Sequence, residues 1–268
     1  MTKEMMVPTY DGTKLFFRKD VPENPKAILV IVHGLCEHLG RYEYVTERLN
    51  QSGFGVYRFD HRGHGRSEGK RVFYGDYTEI AQDVNHFVEM AKTENDGLPV
   101  FLLGHSMGGF AVTLFGTKYP GKVRGIVTSG ALTRMNDSPF STLPMDQPAD
   151  AYFPNALGDG VCSDPAVVQA YANDPLVEKA ITFGLCKALF NGVEWMKQNA
   201  KAFTDPVLVL HGCCDGLVSE KDSREFYGDI ASADKTLKIY AHLFHEILNE
   251  PCRDEIIAEI VAWLKKRL

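Results

Sequence analysis

Short apolar runs alternate along this chain with longer stretches whose apolar residues recur every three or four positions. Ala27–Val32, Val56–Phe59, Val100–Leu103, Val123–Ser129 and the run Pro206–Leu210 (PVLVL) read as strands buried in a sheet, with Thr236–Tyr240 as the last. Met5–Pro8 and Lys14–Lys19 read as two further strands joined at the turn signal Asp11-Gly12. Helical periodicity covers Tyr42–Gln51, ended by Gly53, and Thr78–Thr93, with Ile80, Val84, Phe87 and Val88 on one face. It returns in Phe110–Tyr119, stopped by Pro120-Gly121, and in Arg253–Lys266, striped by Ile256, Ile257, Ile260 and Leu264. Alternating strands and helices predict a doubly wound, mostly parallel α/β sheet. Ligands in such sheets sit beyond the carboxyl ends of the strands, so the loops that follow strands are the ones to search.

Residues 133–204 break the alternation. They lie between two sheet strands, hold no clear strand and are rich in aromatics, among them Phe140, Tyr152, Phe153, Tyr171 and Trp195. Ala180–Gln198 reads as an apolar-rich helix. So long an insertion is not a structureless loop. The expectation is a core of residues 1–132 and 205–268 with a mostly helical cap, 133–204, over the strand ends. Its aromatics either form the cap's own core or in part face a pocket.

Composition narrows the function. At 268 residues, 44% hydrophobic and with a net charge of −6, the chain has material for one large core and no basic stripe for nucleic acid. The basic end Lys265-Lys266-Arg267 is expected to fray into solvent. The start, MTKEMMVPTYDG, carries no apolar signal core, and no stretch reaches membrane-spanning length. The cysteines Cys36, Cys162, Cys186, Cys213, Cys214 and Cys252 have no metal spacing and read as reduced thiols of a cytoplasmic protein.

The chemistry gathers at PVFLLGHSMGGFA, residues 99–111. Gly104, Ser106 and Gly108 form Gly-x-Ser-x-Gly between a buried strand and a helix, the setting of a nucleophile elbow. A side chain at Gly104 or Gly108 would strike the neighbouring strand and helix. The bland alternative is a glycine-rich turn without chemistry. A serine hydroxyl needs a base, and the base an orienting anion. With this elbow the chain order is Ser, then Asp or Glu, then His. Asp215, just past PVLVL, is the acid; Asp137 is the runner-up. Asp205 precedes its strand, and Asp222 and Asp229 belong to the next helix, where solvation is expected. His245 in HEILNE, after the last strand, is the base, ahead of His242. His105 is expected to point away from Ser106. His33, His61, His64 and His211 read as structural loop residues, and His86 as a helix-face residue. An oxyanion hole would use the backbone N–H of Met107, which follows the serine, and of Leu35 in the loop after the third strand.

HEILN is not His-Glu-x-x-His, because Asn249 stands where a second zinc ligand would be, and GHSMGG lacks the Lys-Ser/Thr of a phosphate loop. No metal or nucleotide cofactor is indicated.

Several stretches together resemble the monoacylglycerol lipase and lysophospholipase branch of the α/β-hydrolases. They are HGLCEHLGRY with its Glu37-His38 pair, FDHRGHGRSEG from Phe59, GHSMGG, CSDPAVVQAYANDPLV (Cys162–Val177), LHGCCDGLV and HEILNE. The resemblance implies an α/β-hydrolase fold, with a mostly parallel eight-stranded sheet flanked by helices and a helical cap. It implies carboxylester hydrolysis, with Ser106, Asp215 and His245 as triad, Leu35 and Met107 as oxyanion donors, and a monoacylglycerol or lysophospholipid as substrate. Rival readings are a general short-chain esterase, a peptidase or thioesterase using the same triad, and a non-catalytic binding protein on this fold. An aromatic cap would also let the protein dock transiently on lipid aggregates.

Overall fold

The protein is described here from a computed structural model covering residues 2–268. In chain order, β1 (Thr2–Pro8), β2 (Lys14–Asp20) and β3 (Ala27–Val32) are followed by α1 (Glu43–Gln51), β4 (Phe54–Phe59) and α2 (Tyr77–Glu94). Then come β5 (Val100–His105), α3 (Met107–Lys118) and β6 (Gly125–Ser129). The segment 133–204 holds β7 (Tyr152–Pro154), α4 (Pro165–Asn173), β8 (Ala180–Thr182) and α5 (Phe183–Gln198). The chain closes with β9 (Val207–Gly212), α6 (Glu220–Asp229), β10 (Lys235–Tyr240) and α7 (Arg253–Lys265).

Eight strands form one sheet in the order β1-β2-β4-β3-β5-β6-β9-β10. β2 runs antiparallel to β1 and β4, and the remaining pairs are parallel, as in an α/β-hydrolase. The period-2 pattern of β3 explains why its apolar run is continuous. Ala27, Leu29 and Ile31 face α1 and α7, whereas Ile28, Val30 and Val32 face α2 and α3. α2 starts at Asp76, whose carboxylate accepts from the Thr78 N–H, and buries the expected stripe Ile80, Val84, Phe87 and Val88. α3 is buried nearly all round, because it lies on the sheet and is covered by α2 and α5.

Two expectations are corrected. The helix expected from Ala180 begins only at Phe183, since Ala180–Thr182 is a strand paired with Tyr152–Pro154. Strands this short are held by partners distant in sequence and leave no local signal. The basic end does not fray at Arg267. Its guanidinium lies 3.8 Å from the Trp263 ring centre, and its Nε donates to Asp234 at 2.9 Å.

The 133–204 segment is tied to the loops at the carboxyl ends of the strands. His38 Nε2 donates to Asp174 at 2.8 Å, the Glu178 N–H to the Cys36 carbonyl at 2.8 Å, and the Glu246 N–H to the Val161 carbonyl at 2.7 Å. Among the described residues no helix is long and apolar enough to cross a membrane.

Candidate active site

The tightest turn of the sheet joins β5 to α3. Ser106 alone separates them and sits at φ 53°, ψ −117°. A side chain in that region costs on the order of 1–2 kcal/mol. The surroundings enforce it: the Ser106 N–H donates to the Ser129 carbonyl at 2.9 Å, and the Ser106 carbonyl accepts from Phe110 and Leu132. The glycines are required by contact. A Cβ on Gly104 would lie 2.2 Å from the Gly108 carbonyl oxygen, and one on Gly108 would lie 2.0 Å from that of Val32. A Cβ on Gly34 would come within 3.1 Å of Ser106 Cβ, so the loop after β3 passes directly over the serine.

Asp215 follows β9 and is anchored by its own loop. Its Oδ1 accepts from the N–H groups of Leu217 and Val218, each at 2.9 Å. Its Oδ2 lies 2.6 Å from His245 Nδ1 and 3.0 Å from His211 Nε2. Burial raises the Asp215 carboxyl, but the two histidines outweigh burial and hold it well below the usual range. Burial lowers His245, yet the charge and hydrogen bond of Asp215 prevail and leave it above its ordinary value. With Nδ1 taken by Asp215, Nε2 is left for the cavity that His245 and Ser106 line together. The ring is bounded by His105, centroids 4.5 Å apart, and by Gly130, where a Cβ would be 3.1 Å from Nδ1.

The runners-up stand elsewhere. Asp137 is exposed and pairs with Lys221 at 2.9 Å, and His242 is exposed. Asp205 accepts from the Gly121 N–H at the opposite end of the sheet. Asp229 is exposed and pairs with Arg134. Asp222, expected in solvent, is instead fully buried and accepts the N–H groups of Thr133, Arg134, Met135 and Asn136. Its place in the helix after the strand suggests solvent, but residues 133–136, arriving from far along the chain, cover it.

His33, His61 and His64 form a buried cluster. His33 Nδ1 donates to the Gly34 carbonyl at 2.7 Å, and its Nε2 accepts from the His61 N–H at 2.9 Å. Burial pushes His33 down to about 4 and His64 to about 3, and it holds His61 well below its ordinary value. His105 is pushed to about 3 by burial and then by His245.

Glu37 is a residue to which sequence reasoning gave no role. Its buried carboxylate accepts from the Gly34 N–H at 2.5 Å, Tyr42 Oη at 2.6 Å and Arg41 at 2.7 Å. Arg41 also forks onto Glu246 at 2.6 and 2.7 Å. Burial pushes Glu37 up, but Arg41 beside it prevails and brings it to about 2. The i, i+4 spacing of Glu37 and Arg41 was the available signal. Glu37 thereby fixes the loop in which Leu35 lies. Among the described residues, neither the Leu35 nor the Met107 N–H donates to a backbone carbonyl.

The space among the cavity's lining side chains is about 520 Å³, open solvent at its mouth included. Leu132, Phe140, Leu157, Val161, Leu189 and Leu217 are among its apolar lining, and 133–204 contributes four of these six side chains. Tyr171 and Glu246 supply polar groups. No group of three or more His, Cys, Asp or Glu among the described residues is placed to hold a metal ion.

A family model described as serine aminopeptidase, S33, matches residues 23–252. The chain is 36% identical over 269 residues to a monoacylglycerol lipase of Mycolicibacterium smegmatis, covering 96% of this chain and 95% of that protein. It is 35% identical over 271 residues to a monoglyceride lipase of Homo sapiens, covering 96% and 88%. The crystal structure of Paleococcus ferrophilus monoacylglycerol lipase superposes with a TM-score of 0.84 at 31% identity, covering 95% of this chain and 99% of that one. A soluble variant of the Saccharomyces cerevisiae monoglyceride lipase, in complex with a substrate analog, shares the fold with a TM-score of 0.87 at 24% identity, covering 99% and 94%.

Proposed function

The chain belongs to the serine aminopeptidase S33 family of α/β-hydrolases, as a monoacylglycerol lipase-like serine hydrolase, and we propose that it cleaves the ester bond of monoacylglycerols through Ser106. The observation that carries this reading is the His245 ring, whose Nδ1 lies 2.6 Å from Asp215 and which shares an apolar cavity with Ser106. His245 Nε2 takes the Ser106 proton as Oγ attacks the ester carbonyl, and Asp215 stabilises the imidazolium. The N–H groups of Leu35 and Met107, the latter at the positive end of α3, receive the oxyanion. His245 then protonates the departing alcohol. Water, deprotonated by the same ring, releases the fatty acid from Ser106 and restores the serine.

The wall supports a lipid over a peptide. An aminopeptidase needs a carboxylate free to bind a terminal ammonium, and the two on this wall, Glu37 and Glu246, are both spent on Arg41. Leu132, Phe140 and Leu157 suit an acyl chain. The Tyr171 hydroxyl accepts from Asn155 Nδ2 at 3.1 Å and keeps its proton to donate to a glycerol oxygen. In this reading 133–204 is the cap. Its exposed Tyr152 and Phe190 would touch lipid aggregates, which liposome co-sedimentation tests.

The direct test is glycerol release from monoacylglycerols of increasing acyl length beside matching p-nitrophenyl esters, with Ser106→Ala as blank. Best turnover of long monoacylglycerols is expected. Turnover of short activated esters alone would replace the lipase with a small-ester esterase, and Ser106→Ala at near-normal rate would overturn the nucleophile.

A further inference from the structure

We propose that Asp222 is a positioning residue that sets the acyl wall of the Ser106 cavity and with it the discrimination between long and short acyl chains. The proposal rests on the ester-hydrolase reading above. Asp222 stands in the first turn of α6 with its side chain fully buried. Oδ2 accepts the N–H groups of Thr133, Arg134 and Met135 at 3.0, 2.8 and 2.9 Å, and Oδ1 that of Asn136 at 2.8 Å. Thr133 Oγ1 returns a bond to the Asp222 carbonyl at 2.9 Å. Consecutive amides converge on one anion only where the backbone folds into a concave nest, and Met135 at φ 61° supplies the left-handed residue this requires.

The clamp lies between two wall residues. Leu132 immediately precedes it, lines the cavity and donates its N–H to the Ser106 carbonyl at 3.3 Å. Phe140, four residues beyond it, lines the cavity as well. The other wall comes from Leu217 and Val218, whose N–H groups hold Asp215 and which lead into the helix bearing Asp222. One carboxylate therefore fixes the spacing between two walls contributed by segments some 80 residues apart in sequence. Among the described residues Asp222 makes no hydrogen bond to Ser106, His245 or Asp215, and Asp215 keeps His245 and His211 as partners, so loss of Asp222 acts first on the 133–136 wall and spares the proton relay. A long acyl chain needs both walls along its length, whereas a butyryl group occupies only the space beside Ser106.

Three measurements on the full chain test this: kcat and KM for p-nitrophenyl butyrate and laurate, amide hydrogen exchange, and covalent labelling of Ser106 by a short-chain fluorophosphonate. Asp222→Asn puts an amide NH2 among N–H donors. It is expected to lower kcat/KM for the laurate by about tenfold or more, chiefly through KM, with the butyrate changed by less than about threefold. In the unmodified protein the amides of 133–136 should exchange as slowly as those of a strand, and in Asp222→Asn faster by on the order of 10²-fold while β6 stays protected. Equal loss on both esters, or an unchanged ratio, overturns the proposal. So does rapid exchange of 133–136 in the unmodified protein, a result available even if Asp222→Asn does not fold. Asp222→Glu keeps the charge and should restore part of the laurate preference. Absence of Ser106 labelling in the unmodified protein would instead defeat the hydrolase reading, and the exchange data would still report on the clamp.

Discussion

Moving this protein from pH 7 to pH 5 should cost it much of its stability through histidines that perform no chemistry. His33, His64 and His105 are held neutral by burial, at about 4, 3 and 3, while in the unfolded chain each titrates near 6.5. Below 6.5 the unfolded chain therefore binds more protons than the folded one. The stability these residues contribute is complete above 6.5 and falls as the pH descends, by ~1.4 kcal/mol per pH unit for each, until the folded value is reached. At pH 5 the loss is ~2 kcal/mol per histidine and ~6 kcal/mol for the three, against a total stability of ~5–15 kcal/mol for a typical domain. His61 acts in the same direction. His245 opposes it, because a group raised in the folded state stabilises when protonated, an effect lost as pH rises through its folded value. Urea unfolding followed by circular dichroism at pH 5, 6, 7 and 8 reads the slope. His64→Gln isolates one proton: His64 Nδ1 donates to the Arg62 carbonyl at 3.1 Å and Nε2 has no partner among the described residues, so a glutamine NH2 can keep the bond without titrating. The variant should lose ~1.4 kcal/mol per pH unit of the dependence below pH 6. A urea midpoint that stays flat from pH 7 to pH 5 would refute the reasoning.

Asp215→Asn removes the anion that raises His245, so the acid limb of kcat/KM should move to lower pH while the rate drops by ~10⁴-fold; a limb that stays in place would deny Asp215 its orienting role. Gly108→Ala drives a Cβ against the Val32 carbonyl and should destabilise by about 3 kcal/mol, seen as a lower melting temperature; an unchanged melt would mean the elbow is looser than described. Glu37→Gln leaves Gly34 without its anionic acceptor and, if the Leu35 loop receives the oxyanion as proposed, should lower kcat by ~10²-fold at nearly constant KM; a change in KM alone would remove Glu37 from that loop's support.

The strands and long helices were legible because burial on two faces or one leaves a periodicity of its own. The gathering of Ser106, Asp215 and His245 at one end of the sheet was legible for a related reason: each follows a strand, and parallel strands deliver their carboxyl ends to the same edge. What escaped depended on contacts between distant parts of the chain. Nothing near Asp222 signals that residues 133–136 will bury it, and nothing near Tyr152 signals a partner at Thr182. His211 read as a structural residue, yet it lies 3.0 Å from Asp215, a contact set by the curl of the loop after β9. Arg41 and Glu246 are 205 residues apart, and only half of that network, the i, i+4 pair Glu37 and Arg41, could be seen locally.

The stitches between the segment 133–204 and the strand-end loops define what can be exchanged between relatives. His38 holds Asp174, Cys36 holds Glu178, and Val161 holds Glu246, so the walls that would select a substrate are bonded to the same loops that carry Leu35 and His245. A chimera that transplants the segment alone keeps the two backbone bonds only where its register matches, and it loses the His38–Asp174 bond unless the incoming segment carries a carboxylate at that place. The unit that can be grafted is the segment together with residues 33–41 and 245–250. On the proposed function, selectivity would be inherited with the loops that carry Leu35 and His245, and new substrate preferences would be more readily reached by changing wall side chains in place than by exchanging residues 133–204.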